Sequence, residues 1–241
     1  MEKFWNWIHD DSGGRVLRLE GPIDSESFWG DEITPQSFRD ELYAEEGDIT
    51  LWLNSPGGNV FAAAEIYTMI RDYPHRVTIK IASIAASAAS VIAMAGNTVQ
   101  MSPTALLFVH DPSTIAMGNA KDMEKAIATL NEVKESIINA YMAKTGLSHN
   151  RISKLMSDET WINAKKAVEL GFADDVLARA EIPEDMEPPA VSMLYSKAAV
   201  VNSLMDKIAA KCKTNPKKTE DSKPKGRSVD SLYERLNLLK H

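Results

Sequence analysis

Cysteine is almost absent from this sequence: Cys212 is the only one among 241 residues. A single cysteine excludes a disulfide framework and a cysteine-rich metal site. Cys212 stands in a lysine-rich stretch, far from any segment with the apolar pattern of a core. We therefore expect no thiol nucleophile in this protein.

Two motifs that would indicate a metal ion or a bound nucleotide are also missing. The chain contains no His-Glu-x-x-His pair, which is the spacing of a zinc-dependent hydrolase. It contains no Gly-x-x-x-x-Gly-Lys-Ser/Thr loop, which would cradle the phosphates of ATP. We therefore expect no metal, no cofactor and no ATP hydrolysis by this chain.

Long hydrophobic runs and an excess of positive charge are likewise lacking. The longest apolar stretch, residues 79–95, is interrupted by Lys80 and several serines and is too short to span a bilayer. Residues 1–5 do not have the charged-then-apolar layout of a signal peptide. The formal net charge of -7 argues against general nucleic-acid binding. These features predict a soluble, cytoplasmic protein without membrane or nucleic-acid partners.

What the sequence does contain is an alternation of apolar strand patterns and amphipathic helix patterns. With 44% hydrophobic residues, the chain can bury one sizeable core. The alternation indicates parallel strands joined by crossover helices, and hence an α/β layered domain. The strands are expected at 15–19, 49–53, 77–82, 98–101 and 105–109, and the helices at 35–47 after the cap Thr34, at 60–72 with Ile66 and Ile70 buried, and from Ser87 to Gly96.

A long helix is predicted over residues 119–144, because apolar side chains recur there at helical spacing. A helix of this length either packs across the domain or projects towards a partner subunit. Shorter helices at 148–156 and 164–171 are expected to complete the domain near Val176.

The composition changes beyond residue 179, where prolines and acidic residues replace the apolar periodicity. We divide the chain into a folded domain, 1–180, a stiff acidic linker, 181–192, and a largely flexible C-terminal extension, 193–241. Within the extension, amphipathic helical patterns flank a lysine-rich stretch, 211–228, that has the composition of a disordered segment. The last of these helices carries an apolar stripe formed by Leu232, Leu236 and Leu239.

Ser87 is the first candidate for a chemical role. It lies in a run of small residues, 85–90, that leads into an apolar helix and so places its hydroxyl at the first helical turn. Backbone N–H groups in that turn have no intrahelical partner and favour negative charge. A serine there can attack a carbonyl while nearby amides hold the oxyanion. The alternative is that a small residue is needed there for close helix packing.

A serine nucleophile needs a base, and histidine is the usual one near neutral pH. Of the five histidines, only His110 ends an apolar strand pattern, at 105–109. In α/β domains, functional sites gather at such carboxyl ends of strands. Elimination therefore favours His110, with a purely structural histidine as the alternative. The histidines that are set aside are His9, His75, His149 and His241.

Four motifs occur in a fixed order along the chain. They are Asn-Ser-Pro-Gly-Gly at 54–58, the small-residue run and helix at 85–96, Val-His at 109–110, and the segment at 159–174. Together they resemble the Clp protease proteolytic subunit (ClpP) family, and within it the ClpP-related head maturation proteases of tailed phages. The resemblance covers most of residues 15–180.

The resemblance implies a role for each matching residue. Ser87 corresponds to the nucleophile, His110 to the general base, and the amides of Gly58 and Ala88 to the oxyanion hole. The family usually follows its serine with methionine and a small residue, whereas Ala88 and Ala89 follow it here. An amide donor survives that difference, because every non-proline residue has one.

The third member of the triad is less clearly defined. The family's aspartate falls just before an aromatic-x-Ala segment, and alignment through Ala164 and Gly171 places Glu159 there. Asp158 is the alternative, because a shift of one residue changes which side chain points inward. Both can instead be a solvated surface pair, which is the common position of acidic residues. Trp161 is interpreted as a core anchor.

The family also implies an architecture and an assembly. Its fold is a ClpP/crotonase-like spiral of strand-strand-helix (ββα) units, and its members form homo-oligomeric rings that enclose the active sites. By resemblance, the helix over 119–141 would be the projecting helix through which subunits meet.

The function expected from the resemblance is that of a serine endopeptidase. Segments 3–8, 28–32 and 156–161 resemble the phage branch, which favours a head maturation protease acting on scaffold or capsid proteins in the host cytoplasm. The alternative is a housekeeping Clp-type degradative subunit that works with a separate ATPase unfoldase. A second alternative is an inactive or crotonase-like acyl-CoA relative, although crotonases need no serine nucleophile.

Overall fold

A computed structural model gives the architecture of residues 8–9, 14–26 and 33–178. The linker and the C-terminal extension lie outside the described residues. So do most of the two N-terminal segments that resemble the phage branch. The predictions made for those parts of the chain therefore stay predictions.

The described residues form eight strands and six helices. The strands are β1 Ile8–His9, β2 Arg15–Glu20, β3 Ile49–Ser55, β4 Val77–Ala86, β5 Thr98–Met101, β6 Leu106–Val109, β7 Thr160–Asn163 and β8 Asp175–Val176. The helices are α1 Pro35–Leu42, α2 Val60–Asp72, α3 Ala88–Ala93, α4 Ala120–Thr145, α5 His149–Ser157 and α6 Ala164–Leu170.

The strands form one mixed sheet, in which β1, β2, β3, β4, β5 and β8 are neighbours in that order. Strand β6 pairs with β4, and β7 pairs with β6. The pairs from β2 to β5, and those of β4 with β6 and β5 with β8, are parallel. Only the pairs β1–β2 and β6–β7 are antiparallel among the described strands. The prediction of a largely parallel α/β domain is confirmed.

Strand β4 is longer than the sequence pattern predicts, and this extension positions the site. Its first part, Thr78–Ile81, pairs with β5, whereas its last part, Ile84–Ala86, pairs with β6. The predicted end at residue 82 is therefore wrong, because the chain changes neighbours there instead of leaving the sheet. The carboxyl ends of β4 and β6 consequently lie side by side.

Helix α1 begins as predicted but ends early. Thr34 caps it in a reciprocal pair with Ser37, and Pro35 occupies the first turn. The helix stops at Leu42 instead of reaching Gly47, because the buried guanidinium of Arg15 donates to the carbonyls of Glu41, Leu42 and Glu45. Those carbonyls would otherwise be the unsatisfied groups of a helix end.

The other predicted strands, and helices α2, α4, α5 and α6, agree with the structure to within two residues. Helix α3 begins directly after Ser87 but ends at Ala93, earlier than the predicted Gly96. Ile66 and Ile70 of α2 are buried, as expected from their spacing. All six residues of α3 are buried, which makes this helix part of the core.

Helix α4 is buried over only part of its length. Its buried residues, Ile137, Ile138 and Tyr141, all lie in the C-terminal half. In the N-terminal half, Ile127 is 60% exposed although it is one of the apolar residues that recur at helical spacing in this segment. The first half of α4 thus presents an apolar face that the described residues do not cover. None of the described helices, α4 included, combines the length and the apolarity needed to cross a membrane.

Candidate active site

Ser87 occupies a sharp turn between β4 and α3. Its backbone angles, φ 54° and ψ −125°, are uncommon for a residue with a side chain. Such a conformation costs on the order of 1–3 kcal/mol and persists only where the surroundings hold it. One restraint is the hydrogen bond from the Ser87 N–H to the carbonyl of Phe108 at 3.0 Å, which fixes the turn to β6. The turn leaves the Ser87 side chain half-buried at the edge of the sheet.

The structure brings Ser87 and His110 into direct contact. Nε2 of His110 lies 2.7 Å from Oγ of Ser87. The contact follows from the sheet, because Ala86 pairs with Phe108 in parallel register and each side chain follows the end of its strand. This is the geometry in which an imidazole can take the hydroxyl proton.

Aromatic stacking holds the His110 ring in place. The ring stacks on Phe108, with centroids 5.1 Å apart and an interplanar angle of 15°. Phe108 stacks in turn on Trp161, with centroids 4.3 Å apart. Trp161 therefore packs behind Phe108, where it is half-buried and not part of the core that its interpretation from the sequence expected.

The other histidines with described side chains lie elsewhere. His75 packs edge-on against Tyr73. His149 is exposed and its Nε2 lies 2.8 Å from a carboxylate oxygen of Glu135. That hydrogen bond and the charge of Glu135 raise the pKa of His149 above its usual value. Neither histidine contacts Ser87.

The glycine turn after β3, which contains Gly57 and Gly58, lies against the turn between β4 and α3 that carries Ser87. We call that second turn the elbow. A Cβ added at Gly57 would be 2.8 Å from Cβ of Ser87 and 2.9 Å from the amide nitrogen of Ala88. A Cβ at Gly58 would be 2.1 Å from the carbonyl oxygen of Ile23. Both glycines also have positive φ, so other residues are excluded by strain as well as by space.

Two backbone amides at this turn are available to a ligand. Ile23 donates to the carbonyl of Gly57 and accepts from the N–H of Asn59, so neither bond uses the N–H of Gly58. The N–H of Ala88 belongs to the first turn of α3, where no intrahelical acceptor exists. Within residues 14–26 and 33–178, neither amide donates to another group. These are the two amides that the sequence selects for an oxyanion hole.

The register of β6 and β7 distinguishes the two candidate acids. Val109 pairs with Thr160 in antiparallel register, and continuing that register by one pair places Glu159 opposite His110. The carboxylate of Asp158 is instead held by Nζ of Lys154, at 2.7 Å and 3.1 Å from its two oxygens. Glu159 has a φ of 50°, a left-handed conformation that turns the chain from α5 into β7. The backbone therefore brings Glu159, rather than Asp158, next to the end of the strand that carries His110, and the side chains of both acids are exposed.

One contact beside the site was not expected from the sequence. Asp111, directly after His110, lies 2.9 Å from Nζ of Lys134 on α4. It also accepts a hydrogen bond from Oγ of Ser157 at the end of α5, at 3.1 Å. These contacts hold the chain on either side of the site to two helices. The three residues are far apart in the sequence, and only Ser157 lies in a segment that the sequence singles out, 156–161, so no sequence signal marks the contact.

Within the described ranges, no group of three or more histidine, cysteine, aspartate or glutamate side chains is placed to hold a metal ion. What the site does contain is a hydroxyl in contact with an imidazole and two amides that make no other hydrogen bond within the described ranges. That combination supports acyl transfer through a serine.

Comparison with known proteins gives one family. The model of the Clp protease family matches residues 13–180. The ATP-dependent Clp protease proteolytic subunit of Bacteroides fragilis is 30% identical over 134 residues, covering 55% of this chain and 65% of that protein. Subunit 2 from Thermobifida fusca is 33% identical over 134 residues, covering 55% of this chain and 66% of that protein.

A third relative is matched over more of its length. Subunit 1 from Chlamydia muridarum is 31% identical over 142 residues, covering 57% of this chain and 73% of that protein. For the Bacteroides fragilis and Thermobifida fusca relatives, the match spans just under two thirds of their length.

Proposed function

The chain belongs to the Clp protease family, and from that premise we propose that it is a serine endopeptidase whose nucleophile is Ser87. The observation that carries the proposal is the 2.7 Å contact between Oγ of Ser87 and Nε2 of His110. The contact occurs at a turn with a strained backbone, beside two amides that make no other hydrogen bond among the described residues. A small residue chosen for packing alone does not account for that combination.

The proposed reaction proceeds in two steps. Oγ of Ser87 attacks the scissile carbonyl while Nε2 of His110 takes the hydroxyl proton. The same proton then passes to the leaving amine, which departs and leaves an acyl-enzyme. Water attacks the ester with its proton going to His110, and the acid product leaves as Ser87 recovers its proton. Phe108 and Trp161 keep the imidazole aligned through both steps.

The oxyanion of each tetrahedral intermediate is assigned to the N–H groups of Gly58 and Ala88. Main-chain donors are fixed before reaction, so they stabilise the developing charge without reorganising. Removal of one such donor typically costs about 10²–10³-fold in kcat. The close packing of the glycine turn on the elbow is the observation that supports this assignment.

We assign the third catalytic position to Glu159, and a pair of neighbouring substitutions tests it. Glu159→Gln is expected to lower kcat by about 10²–10⁴-fold, because the amide no longer stabilises the imidazolium or its tautomer. Asp158→Asn is expected to leave kcat near that of the wild type, because its exposed i,i+4 pair with Lys154 contributes only about 0.3–0.5 kcal/mol of stability. The measurement is kcat on a fluorogenic peptide, with unfolding midpoints recorded for both variants. A large loss of kcat in Asp158→Asn, with kcat near that of the wild type in Glu159→Gln, would assign the third catalytic position to Asp158 instead.

We also propose that the protein works as a homo-oligomeric ring. The observation in favour is the uncovered apolar half of α4, whose exposed Ile127 costs free energy in water unless a partner covers it.

For the biological role, we propose head maturation in a tailed phage, with scaffold or capsid proteins as substrates and the host cytoplasm as the location. The support comes from the sequence: the segment at 156–161 and the extension at 193–241, which we treat as a substrate-recruiting region joined to the domain by the linker 181–192. The competing role is degradation together with a separate ATPase unfoldase. The three relatives are named as ATP-dependent subunits, which favours that alternative.

Deletion of residues 190–241 separates recruitment from chemistry. The truncated protein is expected to cleave a small peptide at the wild-type rate, because the proposed site lies within residues 58–159. Processing of scaffold or capsid protein is expected to fall, because the apolar stripe that would bind it is gone. Both rates are to be measured on the same preparations. Equal capsid processing by the truncated and full-length proteins would refute this role for the extension, and proteolysis that requires ATP and a host unfoldase would favour the degradative role.

A further inference from the structure

A buried row of hydroxyl groups connects helix α4 to the backbone of Ser87. Oγ of Ser90 lies 2.5 Å from the carbonyl oxygen of Ser87 and 2.7 Å from the phenolic oxygen of Tyr141. Ser90 is fully buried and Tyr141 is 1% exposed. Buried polar groups of this kind are costly unless they are hydrogen-bonded, so the arrangement is a specific feature of the core. Neither residue belongs to the catalytic groups assigned above.

The direction of these hydrogen bonds is fixed by chemistry. The carbonyl of Ser87 can only accept, so Ser90 must donate its single hydroxyl proton to it. Oγ of Ser90 is then left as an acceptor, so the phenol of Tyr141 must be the donor in the second bond. Burial raises the pKa of Tyr141 well above its usual range, and this keeps the phenol protonated as a donor. Each hydroxyl therefore donates in the same direction: Tyr141 donates to Ser90, and Ser90 donates to the carbonyl of Ser87.

The carbonyl of Ser87 accepts a second hydrogen bond, from the backbone N–H of Ser90 at 3.0 Å. Two donors therefore converge on a carbonyl that lies at a strained turn. That carbonyl and the N–H of Ala88 belong to one planar trans peptide, in which the two groups point in opposite directions. Holding the carbonyl in place therefore fixes the direction in which the Ala88 N–H points.

We propose that Tyr141 and Ser90 are positioning residues that aim the Ala88 N–H at the oxyanion. The inference rests on the proposed function, because it gives these hydroxyls a task only if Ala88 is an oxyanion donor. Neither residue touches the substrate in this account. Their effect on the reaction is transmitted through the Ser87–Ala88 peptide alone. The edge-on packing of Tyr141 against Phe172, with ring centroids 5.5 Å apart, keeps the phenolic oxygen within hydrogen-bond distance of Ser90.

The test uses Tyr141→Phe, Ser90→Ala and the double variant in the full-length protein. Each single change is expected to lower kcat about 10-fold, which is less than the ~10²–10³-fold of a lost donor, because the amide remains but is poorly aimed. KM is expected to stay within about twofold, because a donor that acts on the developing charge contributes little to ground-state binding. Affinity for a peptide boronate, which forms a tetrahedral adduct with serine, is expected to fall in parallel with kcat. The kcat of the double variant is expected to be no lower than that of the less active single variant, because both residues act through one row of hydrogen bonds.

Tyr73→Phe is the matched control. Tyr73 is also a buried tyrosine, but its hydroxyl donates to the carbonyl of Gly47 and accepts from Arg15, far from Ser87 in the fold. This control is expected to lower the unfolding midpoint while leaving kcat and boronate affinity unchanged. Because it also loses a buried phenolic hydroxyl, it separates a general effect on stability from an effect on the oxyanion. If Tyr141→Phe does not give folded protein, Ser90→Ala with the same control carries the test.

Three results would overturn the inference: wild-type kcat in the Tyr141 and Ser90 variants, an equal kcat loss in Tyr73→Phe, or additive losses in the double variant. Each of these leaves the proposed function intact, provided the wild-type protein hydrolyses peptides and reacts with a fluorophosphonate. A wild-type protein that does neither removes the proposed function together with the inference. The two failures are therefore distinguishable in one set of preparations.

Discussion

Replacement of Ser87 by alanine is expected to reduce kcat/KM by at least about 10³-fold, because nucleophilic attack becomes impossible and only binding and the oxyanion amides remain. The fold should not suffer, since the hydroxyl makes its hydrogen bond to His110 at the half-buried sheet edge and Ala88 to Ala93 still form α3. The measurement is hydrolysis of a fluorogenic peptide by purified variants, with thermal unfolding recorded alongside.

Ser83→Ala provides the control for this experiment. Ser83 lies on the same strand, β4, and is exposed, so its loss should change neither the rate nor the unfolding midpoint. If Ser87→Ala kept a substantial part of the wild-type rate, another group would be the nucleophile. The contact with His110 would then be structural.

Gly57→Ala is expected to lower both the activity and the stability of the protein. Its Cβ would lie 2.5 Å from the carbonyl oxygen of Ala86, 2.8 Å from Cβ of Ser87 and 2.9 Å from the nitrogen of Ala88. All of these atoms belong to the elbow, and only movement of its backbone can relieve the clash. A displacement of about 1 Å at a reacting group can cost about 10²-fold in rate, so we expect a loss of at least that size. The measurement is kcat/KM, with denaturant unfolding to record the accompanying loss of stability.

Gly47→Ala separates crowding from strain in this experiment. Gly47 also has a positive φ, 117°, but an added Cβ there would meet nothing within 4 Å. The change should therefore cost only about 1–2 kcal/mol of stability from the left-handed backbone, and kcat/KM should stay unchanged. If Gly57→Ala were as active as Gly47→Ala, the glycine turn would not be part of the site.

The architecture could be predicted because its strands are buried runs with regular helical patterns between them. Strands such as β3 and β4 are apolar along most of their length, which is typical of a sheet covered on both faces. The end of α1 could not be predicted, because its last carbonyls are satisfied by Arg15, a residue from another strand. The added length of β4 depends in the same way on pairing with β6, which no local pattern indicates.

The candidate site, too, could be predicted from the sequence only in part. Ser87 could be chosen from the sequence because a run of small residues places it at the first turn of a helix, and His110 because it follows a strand, at the end where sites of α/β domains gather. The alignment placed Glu159 in the third position but left Asp158 as the alternative, because the positions of both relative to His110 depend on the register of β6 with β7, an antiparallel pair formed by distant segments. The Ser90–Tyr141 contact joins residues 51 positions apart, so only the packed structure places them together.

The most direct test of the account is to find which atom of the intact protein reacts with a fluorophosphonate. Wild-type protein should be labelled once, and mass spectrometry of its peptides should locate the adduct on Oγ of Ser87. The account requires this because, among the described residues, only Oγ of Ser87 is paired with a base in hydrogen-bond contact beside amide donors without another acceptor. An adduct on any other residue, or none under conditions that label a known serine hydrolase, would contradict it.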